Sequence, residues 1–262
     1  MDILQSLILG IIQGITEFLP ISSSGHLVLT PWLFGWQDSG LSFDVALHFG
    51  TLLAVIAYFA KDWIDIFKAA VSGKKAGNYN EMYLWILAVA TVPGVLAGFF
   101  LNDLAESVFR SPLIVAFTLV FFGLLLFLAD KYFQKKREFG QAGFKDAILI
   151  GLAQALAIVP GTSRSGITMT AGMALGMTRK SAARFSFLMA TPVIFGASVY
   201  KAGDFFAGGV GMAEAAGIFA AFLSGYLAIA GLLKFIEKIG YHWFFYYRLL
   251  LAAVIMFFVF YR

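Results

Sequence analysis

Cysteine is absent from the 262 residues. Disulfides, thiolate zinc sites and Cys-nucleophile phosphatase chemistry are therefore excluded, while the compartment stays open. Charge is scarce as well: Asp, Glu, Lys and Arg make up 13% of the chain, against roughly 25% in a soluble domain. So little charge cannot cover a globule in water, which excludes a soluble enzyme. The first residues, Met1-Asp2-Ile3-Leu4-Gln5, carry no basic stretch, and no small-residue cleavage site follows their apolar run, so a removed signal peptide is not expected. What is plentiful is apolar: 60% of residues are hydrophobic, 29 of them Phe, and mean hydropathy is +0.85. The net charge of +4 comes from Lys and Arg in short loops. In a membrane protein that pattern is an orientation signal, and no nucleic-acid partner is expected.

The sequence predicts an all-α, polytopic membrane bundle forming a single domain. Apolar stretches at 45–60, 82–101, 112–129, 185–200, 215–233 and 249–261 each approach the ~20 residues of a spanning helix. Two other apolar regions, 3–19 and 147–159, run into Pro20 and Pro160, then small polar residues, then a second short apolar piece at 27–36 or 167–177. Half-length helices joined by a polar turn predict re-entrant hairpins. Four basic clusters supply a check: Lys61 to Lys75, Lys131 to Arg137, Arg179 to Arg184, and Lys234 with Lys238. If all four are cytoplasmic, parity closes with six spans, two hairpins and both termini outside.

The two hairpins resemble each other. Gly10-Ile-Ile-Gln13 recurs as Gly151-Leu-Ala-Gln154, and Pro20-Ile-Ser-Ser-Ser-Gly25 as Pro160-Gly-Thr-Ser-Arg-Ser-Gly166. Gly50-Thr51 recurs as Ala190-Thr191 at the spacing of the two prolines, which pairs Ser23 with Ser163. Three spans lie between the halves, so repeats covering about 1–130 and 140–262 are expected to be inverted. Inverted repeats with broken helices place a ligand site near the midplane, where the tips meet.

The first tip offers Gln13, Glu17, Ser22, Ser23, Ser24 and His26; the second offers Thr162, Ser163, Arg164, Ser165 and Thr168. A charge at the bilayer centre costs roughly 2.5–3.5 kcal/mol on insertion scales, so Glu17 and Arg164 need a partner or a wet cavity. An ion pair tying the halves together would satisfy both, but it would not call for the surrounding hydroxyls and imidazole. An anion-binding cavity would. Gly161 and Gly166 allow close backbone approach, Arg164 can grip two phosphate oxygens, and a helix starting near Ile167 directs free N–H groups at the turn. The turn lacks the Gly-Lys-Ser/Thr ending of a Walker loop, so nucleotide hydrolysis has no support.

These motifs resemble the undecaprenyl-diphosphatase family, the bacitracin-resistance phosphatases of bacteria. Gly14-Ile-Thr-Glu17-Phe-Leu-Pro-Ile-Ser-Ser-Ser-Gly-His26 is similar to the family's first signature and Pro160-Gly-Thr-Ser-Arg-Ser-Gly166 to its second. The similarity covers essentially the whole chain, including Ala183 to Leu188 and Tyr247-Arg-Leu249. The resemblance implies a hydrolase of the bacterial cytoplasmic membrane that removes the terminal phosphate of undecaprenyl diphosphate at the outer side. It thereby recycles the lipid carrier for peptidoglycan precursors. Many members carry Glu-x-x-x-Glu in the first helix; here the first position is Gln13, which weakens a two-carboxylate metal clamp.

Glu17, Ser23, His26 and Arg164 are the expected catalytic set, with Gln13, Ser22, Ser24, Gly161, Thr162, Ser163, Ser165, Gly166 and Thr168 binding substrate. Arg164 and the backbone amides of its turn would neutralise the departing phosphoryl group. Three routes remain open: attack by Ser23 with His26 as base, attack by His26, or water activated by His26. The family analogy and the Ser163 match favour Ser23. Glu17 repels a diphosphate unless Mg²⁺ or Ca²⁺ bridges them, or unless Arg164 holds it and it orients His26; no organic cofactor is expected. The expected partners are a polyprenyl diphosphate and the bilayer, and a homodimer is compatible with the sequence. Asp44 and His48, four apart, are read as a surface cap or hydrogen-bonded pair ahead of a metal site, and Arg184 as snorkelling to headgroups. The competing class is a transporter of an anionic polyprenyl lipid, which needs binding groups but no nucleophile.

Overall fold

The computed structural model describes residues 2–37, 40–101, 104, 108–207 and 211–261. The described residues are helical apart from turns and two isolated bridges. Helix α1 (Ile3–Phe18) starts at Asp2, whose side chain accepts from the Gln5 amide at 2.7 Å, and stops where Pro20 forbids continuation. Helix α2 (Ser23–Phe34) ends at Gly35, in the left-handed conformation at φ 67°. Helix α3 (Gly40–Tyr58) bends by 70° into α4 (Ala60–Ser72). The sequence places this first basic stretch in a loop. Its apolar spacing instead buries Ile66 and Ala69 while Lys61 and Lys68 stay exposed.

The remaining helices are α5 (Tyr83–Phe100), α6 (Pro112–Tyr132), α7 (Phe144–Ala155), α8 (Arg164–Ala174), α9 (Arg179–Ala207), α10 (Met212–Ile239) and α11 (His242–Tyr261). Among the described residues, α5, α6, α9, α10 and α11 are long and apolar enough to cross a membrane, and the bent α3–α4 pair counted as one span makes a sixth. Helix α1, with 16 residues, reaches about 24 Å, short of a ~30 Å hydrocarbon core; α2, α7 and α8 are shorter still. This is a multi-pass membrane bundle.

Close helix approach seats the two short entry helices. Helix α1 lies along α10, where a Cβ at Gly10 would collide with the Gly217 carbonyl; α7 lies along α5, where a Cβ at Gly151 would come 2.5 Å from the Ala90 carbonyl. Small residues at such crossings replace the hydrophobic drive that lipid removes. Around them runs a core built from Phe18, Phe59, Tyr83, Phe185 and Phe187.

The basic clusters gather at one end of the bundle through a network of polar contacts. Arg137 grips the Asp146 carboxylate with two bonds of 2.8 and 2.7 Å and caps the Leu175 carbonyl. Arg179 holds Asp130 at 2.6 and 3.0 Å and reaches the Glu237 carbonyl. Arg184 pairs with Asp62 and stacks over Phe59 and Phe139, so it is tied into this network rather than simply extended to headgroups. Tyr79 also donates to Asp62; burial, reinforced by that carboxylate, pushes its phenol well above the ordinary value.

Candidate functional site

Each short helix pair turns through a serine with positive φ. Ser22 has φ 74° and Ser163 φ 68°; among the described residues they are the two non-glycine residues with positive φ. Each hydroxyl accepts from the amide three residues on, Gly25 or Gly166, at 3.2 Å. That cap starts α2 and α8 directly after the serine, so Arg164 opens a helix that the sequence placed near Ile167. A left-handed serine costs of order 1–3 kcal/mol and persists only where its surroundings impose it.

The two turns dock on each other. The Gly161 amide donates to Ser22 Oγ at 3.1 Å, and Ser165 Oγ donates to the Leu19 carbonyl at 3.3 Å. Arg248, fully buried on α11, donates from Nε to the Pro20 carbonyl at 2.7 Å and from Nη1 to the Thr162 carbonyl at 3.3 Å. The sequence places Arg248 only within the stretch similar to the family and gives it no role, yet it carries one guanidinium bond to each turn from far along the chain. In apolar sequence, a buried Arg was the available signal.

The docking brings Glu17 and Arg164 together across 147 residues. Arg164 Nη2 lies 2.6 Å from Glu17 Oε1, and Nη1 donates to the Ser186 carbonyl at 3.0 Å. Ser23 Oγ donates to Glu17 Oε2 at 2.6 Å, and Gln13 Nε2 reaches the same oxygen at 3.1 Å. His48 Nδ1 bonds the Asp44 carbonyl at 2.7 Å, and its Nε2 stands 3.4 Å from Glu17 Oε2. Its backbone bond to Asp44 fits the expected pairing, but its ring also joins the site, which the sequence reading did not foresee. Glu17, Ser23, Ser24, His48, Ser163 and Arg164 line one cavity of about 320 Å³.

Other expected residues are placed differently. His26 does not touch Ser23. Its Nδ1 bonds the Ser22 carbonyl and its Nε2 the Tyr247 hydroxyl, both at 2.7 Å, with the two rings stacked 5.7 Å apart. Those partners assign the tautomer: Nδ1–H donates, and Nε2 accepts from tyrosine. In this arrangement both ring nitrogens are engaged away from Ser23 Oγ, whose hydrogen bond goes to Glu17 instead. Thr168 Oγ1 contacts the Arg164 and Ser165 carbonyls and Ser186 Oγ, spending its hydroxyl inside the helix. Ser22, Ser165, Gly161 and Gly166 build the turns. Thr162 Oγ1 and Gln13 Oε1 are buried without a hydrogen-bond partner.

The repeat also changes register. Ser163 corresponds in conformation and capping to Ser22, not Ser23, and the counterpart of Ser23 is Arg164. The prolines mark where each entry helix breaks, and one residue fewer separates Pro20 from its cap than separates Pro160 from its own.

Chemically, the cavity offers a hydroxyl bound to a carboxylate, and a guanidinium sharing that carboxylate. Such a constellation suits an anionic electrophile that draws Arg164 from Glu17 as it binds. The chain is similar to proteins named Undecaprenyl-diphosphatase. It is 49% identical to one from Pelotomaculum thermopropionicum over 90% of this chain and 89% of the relative. It is 48% identical to one from Moorella thermoacetica over 92% of each, and 45% identical to one from Desulforudis audaxviator over 93% of each. Residues 6–254 match the family described as Bacitracin resistance protein BacA, and the chain belongs to that family.

Proposed function

We propose that this protein hydrolyses undecaprenyl diphosphate to undecaprenyl phosphate and inorganic phosphate, with Ser23 as nucleophile. The observation that carries the reading is the 2.6 Å contact from Ser23 Oγ to Glu17 Oε2, with Arg164 2.6 Å from the other carboxylate oxygen. The Oγ–P bond forms at the terminal phosphate, the bond from that phosphorus to the bridging oxygen breaks, and the serine proton passes to Glu17 Oε2. Arg164 stabilises the charge on the transferring phosphoryl group, and prenyl phosphate leaves with the bridging oxygen. Once Glu17 has lost the first proton to solvent, it takes a proton from the water that attacks the phosphoserine; the P–Oγ bond breaks, Glu17 passes that proton to Ser23 Oγ, and inorganic phosphate leaves with the water's oxygen. His26 is a positioning residue in this scheme: its bond to the Ser22 carbonyl braces the turn that presents Ser23.

A divalent cation at Glu17 fits the unpartnered Gln13 Oε1 beside the carboxylate. Glu17 and Gln13 would hold Mg²⁺ or Ca²⁺ together with the diphosphate's own oxygens, and the ion would screen the repulsion between carboxylate and substrate. Among the described residues no group of three acidic or His side chains forms a cation cage.

The matched serine turns and the matched α1–α10 and α7–α5 crossings support an inverted repeat of about 1–130 and 140–262, with six spans and two re-entrant hairpins. The gathering of basic clusters at one end supports placing that end in the cytoplasm and opening the cavity to the outer leaflet. This frame also suits carriage of an anionic lipid headgroup, but carriage gives no reason for a serine hydroxyl on a carboxylate. Purified protein in detergent should release inorganic phosphate from polyprenyl diphosphate, and Ser23→Ala should not. Binding without release by the native protein would favour carriage instead.

A further inference from the structure

One polar side chain of the cavity has neither a part in the chemistry above nor a hydrogen-bond partner. Gln154, at the end of α7, is 2% exposed, and both Nε2 and Oε1 are buried without a hydrogen-bond partner. It lines the same cavity as Ser23, Glu17 and Arg164. The repeat explains why it is unpartnered. Its counterpart Gln13 spends its amide on Glu17, one helical turn ahead, but the residue one turn ahead of Gln154 is Ile158. A carboxamide left unsatisfied in an apolar interior is costly and calls for an explanation. A ligand oxygen in the cavity supplies one.

Its neighbours say which part of the ligand. Gln154 lies against Gly94 of α5, where a Cβ would come 2.5 Å from Nε2, and the cavity it lines also carries Gly98, Val193, Ile194 and Ala197 in its wall. A prenyl diphosphate whose terminal phosphate sits at Ser23 and Arg164 must run its chain along apolar surface. A free carboxamide in that same cavity, beside Gly94, then meets the phosphate that stays on the chain. The geometry points to Gln154 as a substrate-contacting specificity residue: its amide N–H donates to the prenyl-side phosphate, retained in the product, and so selects for a phosphate bearing a lipid chain. This rests on the diphosphatase reading for the position of the terminal phosphate.

The test uses the full-length protein in detergent. Gln154→Met keeps length and removes both hydrogen-bonding groups. It should raise KM for polyprenyl diphosphate and Ki for polyprenyl phosphate in parallel, by about tenfold, the loss expected of one hydrogen bond to a charged group. Ki for inorganic phosphate, which occupies only the Arg164 end, should be unchanged. Gly94→Ala, which displaces the carboxamide but leaves it in the chain, should shift the same two constants in the same direction and stands in if Gln154→Met does not fold. Unchanged KM and polyprenyl phosphate Ki, or equal weakening of both inhibitors, would overturn the assignment. Direct binding of polyprenyl phosphate to native and variant protein separates the two readings. If the native protein releases no phosphate, the diphosphatase reading fails, while the binding difference still decides the role of Gln154.

Discussion

The turn at 19–25 and the turn at 160–166 share a backbone and differ in what they carry. Both place a serine at φ near 70°, both cap the following helix with that serine's hydroxyl, and both set a second serine hydroxyl within 3.2–3.4 Å of the first. The residue after the cap then diverges: Ser23 in the first turn, Arg164 in the second. One turn ahead of the repeated glutamine stands Glu17 in the first half and Ile158 in the second. Two matching turns thus carry unlike groups: a hydroxyl bonded to a carboxylate on one side and a guanidinium on the other, which under the proposed mechanism are the nucleophile and the cation that binds its electrophile.

The sharpest way to break that division is to remove its two unlike residues. Ser23→Ala and Arg164→Ala should each lower kcat by about 10³-fold or more, the scale of losing a nucleophile or an oxyanion-stabilising donor, read as phosphate release from protein that elutes as native does. Near-native turnover from either would remove it from the reaction. His26→Ala should cost less, about 10²-fold, because it loosens the turn instead of deleting a reacting atom; Tyr247→Phe should fall closer to native. A loss from His26→Ala equal to that of Ser23→Ala would return the imidazole to the chemistry.

Arg248→Leu tests the docking itself. It leaves the Pro20 and Thr162 carbonyls without their donor, a cost of roughly 1–3 kcal/mol for each buried group, and should lower the thermal midpoint in detergent with activity falling as the tips separate. The smallest effect should come from Ser163→Gly, which relieves the positive φ while losing the cap, for a net change of a few tenths of a kcal/mol. A large loss there would mean that Ser163 Oγ meets substrate from the cavity wall as well as capping α8.

Much of this frame was readable in the sequence, because membranes simplify the signals: apolar length gives spans, Pro20 and Pro160 give breaks, and Glu17 and Arg164 in apolar surroundings must find each other or water. The register of the repeat was off by one because proline reports where a helix stops, while the serine cap reports where the next begins. The sequence offers His26 as a base, a nucleophile or an activator of water, yet four residues from Ser22 its ring folds back onto that carbonyl, a preference of local geometry that composition does not display. The places of His48 and Arg248 at the site are not legible in the sequence for a different reason: their partners there lie on other elements, and only the packing of α3 against α1 and of α11 against both turns brings them in.

The most direct measurement is acid quench of the protein during turnover of polyprenyl diphosphate labelled in its terminal phosphate, followed by mapping of the label. Label on the peptide containing Ser23, chased into inorganic phosphate and absent from Ser23→Ala, is the expected result. A Ser23→Ala protein that still turns over, or label that maps to His26 or His48, would contradict it.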